Sequence, residues 1–252
     1  MKRLICLFIS VFVLNTVIIP AKATTLPVLL YHNITKEAGE YDPDVHIDKE
    51  LFKEHLDFLK ENNYNTITLK DYYEYRVSKK ELPENPIIIT FDDGYYSNYE
   101  IAYPLLKEYG FKATIFMVTN PSYHPGTFSF PHFSYKEARE MDKSGVIDIE
   151  SHSANHLVHY GLSASELLFE VRKSYIDLYF NLSKLPFAYA YPTGAFTSES
   201  KEAVKNAGYK MQLTVSGKLN NDETPLDEIK RMNIRGDCLV EDLKELILNS
   251  PF

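Results

Sequence analysis

Ile87-Ile88-Ile89-Thr90-Phe91-Asp92-Asp93-Gly94-Tyr95 is the stretch on which the reading of this chain turns. Its apolar, β-branched front half reads as a buried strand. Asp-Asp-Gly reads as the turn that ends it. Taken alone, Asp-Gly is an ordinary turn dipeptide. Two adjacent carboxylates at the tip of a buried strand nevertheless repel each other unless a cation or a shared proton separates their roles. The rest of the chain decides between a plain turn and a reactive pair.

Outward from that stretch the same pattern recurs. An apolar run over 26–32 ends at His32, a run over 146–150 leads into Ser151-His152-Ser153-Ala154-Asn155-His156, and a run over 187–191 ends in Pro192-Thr193-Gly194. Further strands are expected over 66–69, 113–118, 211–215 and 229–234. Helices are expected between them, over 48–62 with Asp48 as cap, 70–79, 97–109 with Ser97 as cap and Gly110 as stop, 135–143, 163–182, 198–207 and 240–249. Strands alternating with helices imply a parallel sheet with helical crossovers. Seven or eight such units imply a closed α/β barrel rather than an open sheet. In a barrel the carboxyl ends of the strands share one face. Four sequence-distant polar clusters would then converge.

The 252 residues are 44% apolar and 25% charged, which suits one domain with a substantial core. The net charge of -8 disfavours nucleic-acid binding, which needs basic patches. Lys2-Arg3, an apolar stretch over 4–20 and Ala21-Lys22-Ala23 have the form of a signal peptide cleaved after residue 23. An uncleaved anchor is the other reading. The expected organisation is thus 1–23 signal and 24–252 catalytic domain, near -11, secreted or held at the cell surface, with Cys238 as its only cysteine. A lone cysteine forms no internal disulfide.

His152 and His156 lie four residues apart, and on a helical turn both would face one metal ion. Two histidines and one carboxylate leave an open position on a Zn²⁺-like ion. Asp92 and Asp93 provide that carboxylate and a separate base. Among the other histidines, His55 sits on the apolar face of the 48–62 helix and reads as packing. His124 and His132 fall in an aromatic loop over 120–133 with Tyr123, Phe128, Phe130 and Phe133, which reads as a sugar groove, a membrane contact or an ordinary loop.

Thr90-Phe91-Asp92-Asp93-Gly94-Tyr95, Ser151-His152-Ser153-Ala154-Asn155-His156 and Ala190-Tyr191-Pro192-Thr193-Gly194, in this order, resemble the polysaccharide deacetylases with a NodB-homology domain (carbohydrate esterase family 4). The resemblance spans 26–234. It implies a deformed (β/α)₇ barrel that removes acetyl groups from sugars with a divalent metal, here Zn²⁺, or Co²⁺, Ni²⁺ or Mn²⁺. It implies Asp92 as general base and Asp93, His152 and His156 as metal ligands. It extends to Tyr95, Tyr191, Pro192, Thr193 and Gly194 as substrate or oxyanion contacts. Two departures stand out. The arginine that many members carry before the Pro-x-Gly is replaced by Ala190, or by Tyr189 in another register, with Arg231 or Arg235 as substitutes. No histidine follows His159, so the late general acid is missing. Leu29-Leu30-Tyr31-His32-Asn33-Ile34 resembles the early Tyr-His motif of the branch containing poly-N-acetylglucosamine deacetylases, which implies His32 as the acid. The expected function is N-deacetylation of an N-acetylglucosamine surface polysaccharide by a monomer, with peripheral membrane or cell-wall contact. Peptidoglycan is the next substrate. The alternatives are an O-acetyl esterase of the xylan type and a catalytically weak carbohydrate-binding domain.

Overall fold

The structure, a computed structural model, describes residues 25–36, 41–120 and 130–252. The expected signal segment, His124, Tyr123 and Phe128 lie outside these residues. Seven strands form one parallel sheet in the order β10-β1-β5-β6-β7-β8-β9: β1 (Val28–Tyr31), β5 (Pro86–Asp93), β6 (Ala113–Met117), β7 (Ile147–Ser151), β8 (Ala188–Ala190), β9 (Met211–Leu213) and β10 (Met232–Asn233). Short β2 (Asn33–Thr35) and β3 (His46–Asp48) pair with each other, and β4 (Asn65–Thr66) pairs with the start of β5. The two ends of the sheet meet. Ile229 bridges in parallel to Leu213 of β9, and three residues later Met232 pairs with Leu29 of β1. The segment 229–233 therefore closes the ring, giving a deformed seven-stranded barrel.

Alternation along the strands sorts the core. Ile87, Ile89 and Phe91 point outward to the helices, where they pack with Phe52, Leu56, Leu106, Met141 and Leu243. Ile88 points inward and joins Val28, Phe116, Ala190, Leu213 and Ile229 in the barrel interior. A parallel strand covered on both faces reads as a continuous apolar run, which is why 87–91 carries no polar alternation. Each fully buried side chain of this size contributes about 1.5–3 kcal/mol.

The helices start where the sequence supplies caps. Asp48 accepts from Glu50 N–H at the head of α1 (Lys49–Glu61), and capping boxes open α2 (Leu69–Ser78), α4 (Tyr135–Lys143), α5 (Ala164–Leu182) and α6 (Ser198–Ala207). Thr68 is the cap of α2, and this shortens the strand expected over 66–69. Ser97 does not cap. Its Oγ donates to Asn33 Oδ1 at 2.7 Å and accepts Ile34 N–H at 3.0 Å, and the chain instead enters α3 (Tyr103–Tyr109) through a π-helical turn, Asn98–Ala102. The last helix is α7 (Val240–Asn249). Among the described residues no helix is long and apolar enough to cross a membrane.

The candidate active site

Strand parity aims the first carboxylate. Ile88, Thr90 and Asp92 share the inward face of β5, so Asp92 stands at the carboxyl-end mouth of the barrel. Asp93 ought to point the other way. It takes a left-handed conformation (φ 71°), followed by Gly94 (φ 86°), and this turns its carboxylate back toward the same mouth. Side chains in this region of φ are uncommon and cost about 1–3 kcal/mol each. Four of the eight non-glycine residues with positive φ among those described are Asp93, Ser153, His156 and Thr193, all at this mouth.

His152 and His156 come together without the helical turn expected of their spacing. The segment after β7 is irregular, and left-handed Ser153 (φ 69°) and His156 (φ 58°) fold it back. Ser153 Oγ accepts His156 N–H at 2.8 Å, and the Thr119 and His152 N–H groups tie the segment to β6 through Ser153 O and Met117 O. His152 Nδ1 donates to Ala190 O at 2.9 Å, which leaves Nε2 as the bare nitrogen. Nε2 of His152 lies 3.6 Å and Nε2 of His156 3.3 Å from Asp93 Oδ1. The three ligand atoms all lie within 4.8 Å of one another. Asp93 Oδ1 is buried and accepts no hydrogen bond. Burial holds its carboxyl at about 6, and burial likewise pushes His152 down to about 3. A buried carboxylate oxygen without a donor, facing two neutral imidazole nitrogens, fits a divalent cation of the zinc class. Its donor set is that of a metal site.

Asp92 is different. Arg231, 0% exposed, reaches across the barrel from the closing segment and binds Asp92 in a fork, Nη1 to Oδ1 at 2.6 Å and Nη2 to Oδ2 at 2.7 Å. The guanidinium also donates to Thr214 O and lies 5.3 Å from the Phe116 ring. Burial alone would raise Asp92, but Arg231, with His152 and His32, outweighs it and brings the carboxyl down to about 2. Arg231 thus holds the place opened by Ala190. Arg235 is exposed and pairs with Asp44 and Asp237 instead.

His32 lines the same cleft, about 450 Å³, with Asp92, Asp93, His152, His156 and Thr193. It is half-buried. Its carbonyl accepts from Asn98 Nδ2 at 2.8 Å, and its Nδ1 is buried without a partner. Thr193 is left-handed (φ 59°) and exposed at the rim. Gly194 packs so tightly that a Cβ would meet Val215 N at 2.7 Å. Tyr191 was expected at the substrate, but its ring is fully buried, stacked on Phe196 with its hydroxyl on Gln212. Its parity on β8 sends it outward. Pro192 is buried in the turn behind Thr193. Tyr95 stacks on His132 at 4.7 Å, beside the cleft. His55 is packing, bonded to Tyr31 and to Cys238 O, and His159 bonds Tyr189 away from the cluster.

The profile of the family described as polysaccharide deacetylase matches residues 79–212. The chain is 33% identical over 196 residues to YxkH of Bacillus subtilis, classed as a polysaccharide deacetylase, covering 77% of this chain and 65% of that protein. It is 30% identical over 222 residues to the poly-β-1,6-N-acetyl-D-glucosamine N-deacetylase of Staphylococcus epidermidis, covering 84% of this chain and 74% of that one. The fold is shared with the Streptococcus pyogenes deacetylase PplD, solved with acetate (TM-score 0.79, 22% identity, 90% and 99% of the two chains). It is shared as well with IcaB from Ammonifex degensii (TM-score 0.76, 21% identity, 88% and 97%). The chain belongs to the polysaccharide deacetylase family of hydrolases.

Proposed function

We propose that this protein is an exported, metal-dependent N-deacetylase of N-acetylglucosamine-containing surface polysaccharide, with poly-N-acetylglucosamine as the preferred substrate. The observation that carries the proposal is the division of the aspartate pair: Asp92 is matched to an arginine, while Asp93 faces two imidazoles with an unbonded oxygen. Substrate preference and export are supported by the relatives named as poly-β-1,6-N-acetyl-D-glucosamine N-deacetylases and by the signal-like start of the chain. Asp93, His152 and His156 would hold a divalent ion, zinc by donor set. When bound, such an ion supplies the Lewis acidity that lets a base as weak as Asp92 suffice.

The remaining work falls to the chain. Asp92, kept ionised by Arg231, takes the proton of the attacking water. His32, on the first strand's end, delivers a proton to the departing amine nitrogen. Thr193 N–H, presented by the left-handed turn, donates to the developing oxyanion. Water attack on the acetyl carbon and cleavage of its C–N bond then yield acetate and a free amine.

The test is acetate release from a β-1,6-linked N-acetylglucosamine oligomer, with and without chelator, beside an O-acetylated xylan. Release from the first that stops on chelation is expected. Release from xylan alone makes the protein an O-acetyl esterase, and no release from either with metal present makes it a binding domain. His32→Ala is expected to lower turnover about 10²–10⁴-fold with metal affinity unchanged. Near-full turnover in that variant would make His32 structural.

A further inference from the structure

The core-facing stripe of α5 contains Leu167, Glu170, Val171, Ser174, Leu178 and Leu182. Packing gives no reason for a glutamate at that spacing. Glu170 is 0% exposed, and both of its oxygens go to one neighbour: Oε2 accepts Asn155 N–H at 2.8 Å and Oε1 accepts Asn155 Nδ2 at 2.6 Å. Asn155 Oδ1 accepts Asn120 Nδ2 at 2.8 Å, and Asn120 N–H closes the circuit on Ala154 O at 2.9 Å. Asn155 lies between left-handed Ser153 and left-handed His156. Glu170 therefore grips the back of the segment whose front presents His152 and His156.

The charge count points the same way. Asp92 is neutralised by Arg231. Glu170 forms no ion pair within 4.0 Å among the described residues, its two hydrogen bonds come from neutral groups of Asn155, and its charge acts on His156. A divalent ion held by Asp93 and two neutral imidazoles would leave one positive charge over. We propose that Glu170 is a positioning residue for the metal site, which fixes His156 through Asn155 and balances the charge left when the ion is bound. This rests on the metal reading given above.

The test is Zn²⁺ affinity, measured by competition with a chromophoric chelator, together with thermal melting of the metal-free protein. Gln at 170 keeps the shape, removes the charge and sets a donor against Asn155 Nδ2. Glu170→Gln is expected to weaken affinity about 10–100-fold, while the metal-free protein melts near wild type. Asn155→Ala is expected to weaken affinity as well, with a lower melting point because it strands the Glu170 carboxylate, and the double variant to be no weaker than Glu170→Gln alone, because the positioning runs through their one contact. As a control, Glu150→Gln, at a buried carboxylate outside the cleft, should lower melting and leave affinity unchanged.

Affinity of Glu170→Gln within twofold of wild type would overturn the proposal. So would a loss of affinity in Glu170→Gln matched by a loss of its metal-free stability, or additive effects of the two singles. If Glu170→Gln does not fold, wild-type affinity in Asn155→Ala overturns it. A wild-type protein that binds no Zn²⁺ removes the metal reading itself, a result distinct from the others.

Discussion

Two groups of charge, one buried and one partly buried, sit on neighbouring parts of the sheet and are built on different plans. At β7, Lys184 is shared among Asp142 (2.6 Å), Asp148 (2.5 Å) and Glu150 (3.5 Å). Glu150 also accepts Phe187 N–H at 2.7 Å and Ala188 N–H at 2.9 Å. It fills the splay where β7 and β8 are joined by a single residue pair, Ser151 with Tyr189. Burial pushes the Glu150 carboxyl up, and the carboxylates around Lys184 more than offset burial and push the ammonium up. That group is complete: one cation answers several anions and the backbone takes the rest. At β5 only half of the pair is complete. Asp92 has its arginine, and Asp93 has an oxygen with no donor. Matched charge suits a structural role, and a buried carboxylate oxygen without a donor beside two imidazoles suits a binding one.

The comparison can be broken first at Asp93. Asp93→Asn is expected to abolish metal binding and lower turnover by about 10³-fold or more, the several kcal/mol that a Lewis acid supplies. The metal-free variant should nonetheless melt no lower than wild type, because an uncompensated buried carboxylate is removed. A large fall in melting would mean that Asp93 belongs with the structural group.

Arg231→Met should cost about 3–5 kcal/mol in denaturant unfolding, since it strands a buried anion. Adding Asp92→Asn should recover most of that loss. The sign with pH follows from Asp92's folded pKa of about 2 against 3.8 for the free side chain. The stabilisation is fully present above the unfolded value and is lost as pH falls from about 4 through 2. Arg231→Met should therefore flatten the acid limb of the stability curve, measured on metal-free protein.

Lys184→Met tests the closed group. A loss of about 1–3 kcal/mol is expected, the penalty for an unmatched buried carboxylate at Glu150, with Zn²⁺ affinity unchanged. The smallest effect belongs to Arg235. Its pairs with Asp44 and Asp237 are exposed, and surface pairs contribute little. Arg235→Ala should leave turnover and melting at wild-type values. A catalytic loss there would mean that the wrong arginine has been matched to Asp92.

Most of the barrel was legible because strand and helix periods alternate cleanly and the caps are explicit at Asp48, Ser134, Ser163 and Thr197. Ser97 misled because its hydroxyl bonds across to Asn33 and Ile34, distant neighbours that no local pattern announces. The four residues of the β5 and β7 motifs were readable as one cluster, whereas the device that brings them together was not. Spacing suggested a helical turn for His152 and His156, but left-handed backbone at Ser153 and His156 produces the convergence. Arg231 could have been separated from Arg235 by position, since it lies inside the strand expected over 229–234, on the face of Ile229 in the barrel interior, whereas Arg235 lies past the end of that strand. Glu170 left a comparable trace, a carboxylate at a core position of an amphipathic helix. Tyr191 was misplaced because a motif gives order along the chain and not the face of the strand.

The closing segment 229–233 has a consequence for how this enzyme comes into being. Its partners on β1 lie about 200 positions earlier in the chain, from Leu29 to Met232, and pairings of such separation are slow to form. The arginine that answers Asp92 arrives with that last pairing. A chain made from its amino end carries both aspartates, both histidines and His32 long before it carries their counter-charge. Under the mechanism proposed above, competence waits on that pairing, and a carboxyl-clipped molecule should be inert as well as unstable.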